Sequence, residues 1–313
     1  MSATSYTVGD LRISPLCLGG NVFGNTADEK QSFAVLDAYV EGGGNFIDTA
    51  DAYSAWVEGN SGGESETIIG NWMRQRGNRE SVVIGTKVGA HPDFKGLSAA
   101  NIKRAAEASL RRLSTDYIDV YYTHFDDESV EVSEIITALD ELVREGKVRE
   151  IAASNISPAR LRASLEFSQA EGKARYTAIQ PHYNLVSRDT YEGELAAVAA
   201  EYGLAAMPYF SLASGFLTGK YRPGVTVNST RAGRAGEYLE TERGRRVLAA
   251  LDEVAAAHSA EVATIALAWL AAQPTVAAPI ASARTTEQLP ALLAMSEVKL
   301  SEAELARLTE ASA

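Results

Sequence analysis

The sequence predicts an α/β fold, a (β/α)8 TIM barrel preceded by a short β-hairpin. Three observations predict it: eight short apolar runs alternate with eight longer segments of helical period, the apolar runs lack strict polar alternation, and no linker divides the chain. Parallel strands that helices cover on both faces carry apolar residues at successive positions. Barrels of this kind often exceed about 250 residues as one domain, so residues 1–313 are taken as a single domain.

The predicted elements follow one another in regular order. A hairpin comes first, with strands at Tyr6–Val8 and Leu11–Ile13 around a Gly9-Asp10 turn. The eight barrel strands are expected at Leu16–Leu18, Asn45–Ile47, Val82–Thr86, Tyr117–Tyr122, Val148–Ala152, Ala178–Gln180, Ala205–Pro208 and Val276–Pro279. Helices are expected at about 29–41, 64–76, 98–113, 131–145, 157–170, 190–202, 242–272 (as two helices) and 285–294.

One long segment has no clear period. Residues 218–240 are rich in Gly, Arg and Thr, and their apolar side chains are irregularly spaced. Long irregular segments within compact domains usually serve function. We therefore expect 218–240 to form a loop over the mouth of the barrel.

Composition and charge exclude several classes of partner. The formal net charge of −12 repels phosphate backbones and anionic lipids, so neither nucleic acid nor a membrane is an expected partner. No apolar run reaches the roughly 18 residues of a membrane helix. The one cysteine, Cys17, cannot form a disulfide within the chain, and residues 1–10 lack the apolar run of a signal peptide, which together favour the cytoplasm. The sequence has no metal-binding motif and no G-x-G-x-x-G after the first strand.

Four polar side chains are expected at the carboxyl ends of three neighbouring strands. Asp48 ends the second strand in N-F-I-D-T-A-D-A-Y, and Tyr53 lies just beyond it. Lys87 ends the third strand in V-V-I-G-T-K-V, and His124 ends the fourth in I-D-V-Y-Y-T-H-F-D. Catalytic groups of such barrels come from this rim. Each residue alone has an ordinary structural explanation, but four of them on successive strand ends predict one catalytic cluster.

The combination suits protonation of an oxyanion. A phenol has a pKa of about 10 and donates its proton poorly at neutral pH. An adjacent ammonium favours the phenolate, so Lys87 is expected to lower the pKa of Tyr53, while Asp48 keeps Lys87 charged and oriented. The imidazole of His124 would donate a hydrogen bond to a carbonyl oxygen. These groups fit hydride addition to a carbonyl, completed by a proton from Tyr53.

The same residues resemble a known family. The stretches D-T-A-D-A-Y, G-T-K-V and Y-Y-T-H are similar to the segments that carry the Asp, Tyr, Lys and His tetrad of the aldo-keto reductases. The likeness runs from L-C-L-G-G-N-V-F-G to the last strand and helix. The resemblance implies NADP-dependent reduction of aldehydes or ketones to alcohols, with tetrad roles for Asp48, Tyr53, Lys87 and His124. Tyr53 would be the general acid.

The resemblance also implies which residues bind the cofactor, NADPH. Ser154, Asn155 and Gln180 would hold the nicotinamide carboxamide, and Tyr209 would stack on the ring. Arg284 follows the last strand where the family binds the 2′-phosphate, which favours NADPH over NADH. The remaining cofactor-binding positions would be Gly20, Asn21, Phe210, Ser211, Leu212, Gly215, Leu217, Thr218, Lys220, Ser282 and Gln288, although Phe210 and Ser211 stand where the family more often has Y-S-P-L.

The substrate pocket is expected to have apolar and aromatic walls. Phe23, Trp56 and Phe125, with the loop at about 213–240, would form them, which suits a small-molecule carbonyl compound with a hydrophobic or flat body. Two alternatives stay open: an NADPH-binding sensor similar to the potassium-channel β subunits, and an isomerase or aldolase with Lys87 as a Schiff-base nucleophile. The chain is expected to be a monomer or a weak homo-oligomer.

Overall fold

The structure, a computed structural model, describes residues 6–225, 227 and 232–313. In chain order the strands are β1 (Tyr6–Val8), β2 (Leu11–Ile13), β3 (Cys17–Gly19), β4 (Phe46–Asp48), β5 (Val83–Val88), β6 (Ala90–His91), β7 (Phe94–Lys95), β8 (Ile118–Thr123), β9 (Val148–Ser154), β10 (Tyr176–Gln180), β11 (Ala205–Ala206) and β12 (Ile280–Ala281). The α-helices are α1 (Glu29–Glu41), α2 (Glu64–Arg76), α3 (Ala99–Leu113), α4 (Val132–Arg144), α5 (Pro158–Glu171), α6 (Glu194–Glu201), α7 (Ala232–Glu240), α8 (Glu242–His258), α9 (Val262–Ala271), α10 (Leu289–Leu293) and α11 (Glu302–Ala311).

Eight parallel strands form one sheet in the order β11-β10-β9-β8-β5-β4-β3-β12. The two ends of this sheet are joined by backbone hydrogen bonds, from Ala277 N to Ala206 O and from Ile280 N to Pro208 O, both at 2.9 Å. The sheet therefore closes on itself, and the helices surround it. The predictions of a (β/α)8 barrel and of the β1–β2 hairpin are confirmed.

The last barrel strand lies further along the chain than the predicted range Val276–Pro279. The strand is Ile280–Ala281, paired with β3, whereas Val276 makes only an isolated bridge with Ala206. Pro279 has no N–H, so it cannot donate to a neighbouring strand, although its carbonyl oxygen accepts from Cys17 N at 3.0 Å. The regular ladder therefore begins only after the proline.

The prediction of a continuous loop over 218–240 is wrong, because part of this segment is helical. Helix α7 spans Ala232–Glu240, with Ala235 buried and Tyr238 packed against Phe216 at a ring distance of 5.2 Å. Gly233 and Gly236 weaken the helical signal in the sequence, and packing outweighs their low propensity. Residues 226 and 228–231 of the predicted loop lie outside the described residues.

Hydrophobic side chains fill two regions of the barrel. The interior is packed by residues of the hairpin and of alternate strand positions, including Val8, Phe46, Val120 and Met207. A larger cluster fills the space between the strands and the helices. Both regions are close-packed, so the strand ends that carry the polar rim are held by a rigid scaffold.

Helices α8 and α9 are apolar and adjacent in the chain. No single helix in the described ranges is long and apolar enough to cross a bilayer, and these two reach that length and composition only together, with a bend of 98° between them.

Candidate active site

The carboxyl ends of β4, β5 and β8 bring the four predicted polar residues together. Asp48 is the last residue of β4, Lys87 is the second-to-last residue of β5, and His124 directly follows β8. Tyr53 lies in the turns after β4, where its N–H donates to the carbonyl oxygen of Ala50 at 3.2 Å. Because β4, β5 and β8 are parallel neighbours, these residues meet at one end of the barrel.

Lys87 is buried and fully paired. Its side chain is 1% exposed, and its Nζ lies 2.7 and 2.8 Å from the two carboxylate oxygens of Asp48. Nζ also donates to the carbonyl oxygen of Thr49 at 2.7 Å and to the phenol oxygen of Tyr53 at 3.0 Å. Gln180 supports the carboxylate by donating from Nε2 to Asp48 Oδ1 at 2.8 Å. The ammonium thus has an opposite charge and further acceptors, which is the condition for burying a charge.

The phenol of Tyr53 connects the two charged groups. It accepts from Lys87 and donates to Asp48 Oδ2 at 3.2 Å. Burial raises the pKa of Tyr53 well above its ordinary value, and the charge of Asp48 and the hydrogen bond to it raise it further. The expected lowering of this pKa by Lys87 is not found, because burial and Asp48 raise it. Tyr53 is therefore protonated at neutral pH, which is the form that donates a proton.

His124 is an uncharged imidazole beside the phenol. Its ring centroid lies 6.1 Å from that of Tyr53 at an interplanar angle of 74°, and it stacks on Phe125 at 4.8 Å. Burial and, to a smaller extent, the charge of Lys87 lower the pKa of His124 to about 3. Within the described ranges its buried Nδ1 has no hydrogen-bond partner. An N–H at that atom would be unsatisfied, so we assign the proton to Nε2, where it is available to a ligand.

The side chains predicted to bind a carboxamide lie beside this cluster. Ser154 Oγ donates to the carbonyl oxygen of Gln180 at 2.8 Å. Asn155 Nδ2 donates to Ser154 Oγ at 3.0 Å and to the carbonyl oxygen of His124 at 2.8 Å. The phenol of Tyr209 donates to Asn155 Oδ1 at 2.8 Å. These bonds fix amide, hydroxyl and aromatic side chains in one patch of wall.

The chain after β11 turns sharply beside that patch. Phe210, Ala213 and Ser214 have positive φ angles of 54°, 47° and 57°, which L-residues rarely adopt, and Gly215 follows at 95°. Ser211 is held by a hydrogen bond from its Oγ to the carbonyl oxygen of Pro208 at 2.9 Å. Backbone strain of this kind clusters at ligand sites.

Two cations lie in the wall formed by this segment and by the chain after β12. Arg284 donates its backbone N–H to Gln288 Oε1 at 2.8 Å, and Ser282 donates to Asn21 Oδ1 at 2.7 Å. The side chains of Arg284 and Lys220 line the cavity, and within the part of the chain that the structure describes neither makes an ion pair. In a protein of net charge −12, unpaired cations in a cavity favour an anionic ligand.

One cavity of about 1050 Å³ joins all these groups. The predicted residues in its wall are Asn21, Asp48, Tyr53, Trp56, His124, Phe125, Ser154, Asn155, Gln180, Tyr209, Phe210, Ser211, Leu212, Gly215, Thr218, Lys220, Ser282, Arg284 and Gln288. The phenol of Tyr53, the amide and hydroxyl groups of Asn155 and Ser154, and two cations without an ion pair in the described ranges therefore share one space.

A comparison with known protein families identifies this arrangement. Residues 15–313 match the model of the Aldo/keto reductase family. The chain belongs to the aldo/keto reductase family. It is an oxidoreductase of that family, and the resemblance found in the sequence is confirmed.

Several relatives are similar over most of their length. The chain is 36% identical over 304 residues to Uncharacterized oxidoreductase YrpG of Bacillus subtilis, which covers 93% of this chain and 89% of the relative. It is 33% identical to Norsolorinic acid reductase stcV of Emericella nidulans, over 94% of this chain and 77% of the relative. It is 30% identical to Aryl-alcohol dehydrogenase GME11368 of Pestalotiopsis microspora, over 90% of this chain and 74% of the relative.

Four predicted residues do not line the cavity of this aldo/keto reductase: Gly20, Phe23, Leu217 and Lys87, of which Lys87 still contacts the site through its hydrogen bonds to Asp48 and Tyr53. Phe23 and Leu217 are 0% exposed and pack in the hydrophobic core, so Phe23 does not line the substrate pocket as expected. The reason is a tight turn, in which Phe23 N donates to the carbonyl oxygen of Gly20 at 3.0 Å and the ring points inward. Gly20 lies behind the wall, where a Cβ would meet Ser65 Oγ at 2.9 Å and Asp48 O at 3.0 Å.

Other residues of the wall were missed by the sequence analysis. The contributors outside the predicted set include Val22, Asn25, Thr26, Glu261 and Glu287. Glu261 comes from the start of α9, and no local motif indicates that this helix end reaches the cavity. The contact between Gln180 and Asp48 was also missed, because it joins residues 132 positions apart.

Proposed function

We propose that the protein reduces aldehydes or ketones to alcohols with NADPH, in a reversible reaction in which Tyr53 is the general acid. The observation that carries this proposal is the shared cavity. The paired phenol of Tyr53, the imidazole of His124 and the amide patch around Asn155 all border the same space. That arrangement supports a reaction between a cofactor on one wall and a carbonyl compound beside the phenol.

The side chains of the wall fit NADPH. Ser154 and Asn155 would hold the carboxamide, and the face of Tyr209 would support the nicotinamide ring. The unpaired cations support the charged half of the cofactor: Lys220 would meet the pyrophosphate and Arg284 the 2′-phosphate, which a guanidinium binds through two hydrogen bonds. When bound, the reduced nicotinamide supplies a hydride to the carbonyl carbon.

The tetrad then handles the proton. Tyr53 donates its proton to the carbonyl oxygen, which becomes an alkoxide, and an alkoxide is a stronger base than a phenolate even when the pKa of the phenol is raised. Lys87 Nζ, 3.0 Å from the phenol oxygen, stabilises the phenolate that remains. Nε2 of His124 donates to the substrate oxygen and orients it. Asp48 keeps Lys87 charged and in place through bonds of 2.7 and 2.8 Å.

The mouth of the cavity supports a flat, hydrophobic substrate. Trp56 and Phe125 are 59% and 53% exposed, and they contact the rings of Tyr53 and His124, respectively. Exposed aromatic faces next to a reactive group favour aromatic ligands. The names of two relatives, a norsolorinic acid reductase and an aryl-alcohol dehydrogenase, support the same substrate class.

The geometry of Lys87 disfavours a Schiff-base mechanism. A nucleophilic amine needs a free lone pair and access to the substrate. Lys87 is 1% exposed, and its Nζ donates to Asp48, Thr49 and Tyr53. The ammonium is therefore better suited to supporting the phenol than to attacking a carbonyl.

We further propose a cytoplasmic protein of one domain, 1–313, that is a monomer or a weak homo-oligomer. Its one cysteine, Cys17, is free and buried, which is compatible with a reducing compartment.

The proposal is tested by following the absorbance of reduced nicotinamide with purified protein. A panel of aromatic and aliphatic aldehydes and ketones is offered with NADPH, and NADPH affinity is measured separately by fluorescence. Steady consumption of NADPH with any carbonyl compound supports the proposal. Tight NADPH binding without turnover across the panel would favour the sensor alternative, and absence of NADPH binding would contradict both.

A further inference from the structure

Asp51 is a buried acid that the mechanism above does not use. Its side chain is 0% exposed, and within the described ranges neither carboxyl oxygen has a hydrogen-bond partner. The neighbouring N–H of Ala52 favours the ionised form but does not outweigh burial. A buried carboxylate without partners is very costly, whereas the neutral acid costs far less. The surroundings therefore favour the protonated form.

Charged and titratable groups face Asp51 from four elements. They are Glu66 of α2, Arg112 of α3, Lys87 of β5 and Tyr121 of β8. Two of them are cations, but each already has an anion: Lys87 pairs with the tetrad carboxylate at 2.7 Å, and Arg112 Nε donates to Glu66 Oε2 at 2.6 Å. No unpaired cation among these groups is left for Asp51.

Glu66 is the paired member of the two neighbouring acids. It is 0% exposed, and its oxygens accept from Arg112 Nε at 2.6 Å and from Thr86 Oγ1 at 2.5 Å. Burial and, to a smaller extent, the charge of Glu66 raise the pKa of Asp51 to about 8. The charges of Arg112 and Lys87 and the N–H of the next residue offset only part of this effect.

Asp51 lies in the turn that places the tetrad. Its N–H donates to the carbonyl oxygen of Lys87 at 3.2 Å, and the bond from Tyr53 N to Ala50 O, also 3.2 Å, closes the turn around it. A charge formed on Asp51 would be repelled by Glu66 and drawn towards water. Because the side chain is enclosed, it reaches water only if the turn moves, and the turn carries Tyr53.

We propose that Asp51 is a positioning residue for Tyr53: as a neutral acid it keeps the turn closed, and when it ionises the turn opens and Tyr53 leaves its place. This inference rests on the proposed function, because a displacement of the phenol is detected as a loss of carbonyl reduction. A shift of about 1 Å in a reacting group is enough to lower a rate about a hundredfold.

Neither Tyr53 nor His124 titrates in the same range. The pKa of Tyr53 is raised well above its ordinary value by burial, and that of His124 is lowered to about 3. A loss of activity that sets in at about pH 8 is therefore assigned to Asp51.

The test compares the pH dependence of kcat/KM for the wild type, Asp51→Asn and a control, Asp37→Asn. Asparagine has the shape of the neutral acid and never ionises. Asp37 is a surface carboxylate paired with Arg76. The wild type and the control should lose about tenfold in kcat/KM per pH unit above about pH 8, whereas Asp51→Asn should keep its rate for at least about one further unit, with the effect in kcat and not in NADPH affinity. The same alkaline loss in Asp51→Asn overturns the proposal.

A second measurement needs neither a substrate nor a folded variant. Infrared spectra of the wild type should show a protonated carboxylic acid at about pH 6 that disappears by about pH 10, well above the ordinary range of carboxyl groups. Absence of such a band overturns the proposal, including in the case where Asp51→Asn does not fold. If no carbonyl compound is reduced, the proposed function is contradicted. A missing infrared band contradicts only the claim that Asp51 is a neutral acid.

Discussion

Two regions of the site are built in opposite ways. The catalytic corner consists of Asp48, Tyr53, Lys87 and His124, and the proposed cofactor wall contains Phe210, Ser214, Lys220 and Arg284. In the corner, Lys87 is 1% exposed and every charge is matched, with Asp48 as its partner at 2.7 Å. In the wall, Arg284 and Lys220 line the cavity without ion pairs in the described ranges, and strained residues such as Phe210 and Ser214 shape the backbone. The charges of the first region are paired within the protein, whereas the two cations of the second have no ion-pair partner in the described ranges, as the proposed binding of NADPH requires.

This difference teaches which region depends on the fold and which depends on a ligand. The corner stands on the ends of β4, β5 and β8, so its geometry is supplied by the barrel. The wall consists of segments after β11 and β12, and a bound phosphate group would pair with its cations. Changes in the corner should therefore alter stability and turnover, while changes in the wall should alter binding.

The largest effect is expected for Asp48→Asn. This change leaves the ammonium of Lys87 buried without an opposite charge, and breaking a buried pair in this way costs about 3–5 kcal/mol. Urea unfolding at neutral pH measures the loss. The matched control is Asp37→Asn, which breaks the partly exposed pair with Arg76 and should cost less than about 1 kcal/mol. Equal losses in the two variants would mean that the corner is not the electrostatic centre described above.

Tyr53→Phe should come next, with an effect on turnover rather than on stability. Removing the phenol hydroxyl removes the proton donor, so kcat should fall about a hundredfold or more while NADPH affinity is kept. Tyr117→Phe is the control, because Tyr117 precedes β8 at the opposite end of that strand from His124, where its ring contacts Arg79 and Arg149. A Tyr53→Phe enzyme with wild-type kcat would rule out the phenol as the acid.

The contrast between the two regions also explains what the sequence could predict. Asp48, Lys87 and His124 were found because each lies at or next to the end of an apolar run, and parallel neighbours share a rim. The wall was only partly accessible to such reasoning. Positive φ at Phe210 has no signature in the sequence, and the inward turn that buries Phe23 depends on packing. Packing between residues that are distant in the chain determines these backbone and side-chain conformations, and the periodicity of the sequence gives no information about that packing.

The same limit applies to Asp51 and to helix α7. The sequence shows an acid in D-T-A-D-A-Y, but only the fold encloses it beside Glu66 and leaves it without partners. Likewise, the glycines at 233 and 236 suggest a loop, while the contact between Tyr238 and Phe216 forms only in the folded chain. Residues whose role depends on their neighbours in space are the ones that sequence patterns miss.

Arg284→Ala should produce a smaller effect, confined to the cofactor. A hydrogen bond to a charged group contributes about 1.5–3 kcal/mol, so the Kd for NADPH should rise about tenfold or more, with little change for NADH. Arg246→Ala is the control, because Arg246 lies on the surface of α8 and donates to the carbonyl oxygen of Ala313. Equal weakening of NADPH and NADH would mean that Arg284 does not contact the 2′-phosphate.

The smallest effect is expected at the mouth, for Trp56→Ala. The indole is 59% exposed and packs edge-on against Tyr53 at 6.1 Å, so a flat substrate would cover its free face. An aromatic contact of this kind contributes about 0.5–1.5 kcal/mol, which corresponds to a rise in KM of about two- to tenfold for aromatic aldehydes. Trp56→Phe keeps an aromatic face and should lose less. A short aliphatic aldehyde cannot use that face, so its KM should not change. If KM rises equally for both classes of aldehyde, the loss comes from displacement of Tyr53. Trp56 would then support the catalytic tyrosine and would not contact the substrate.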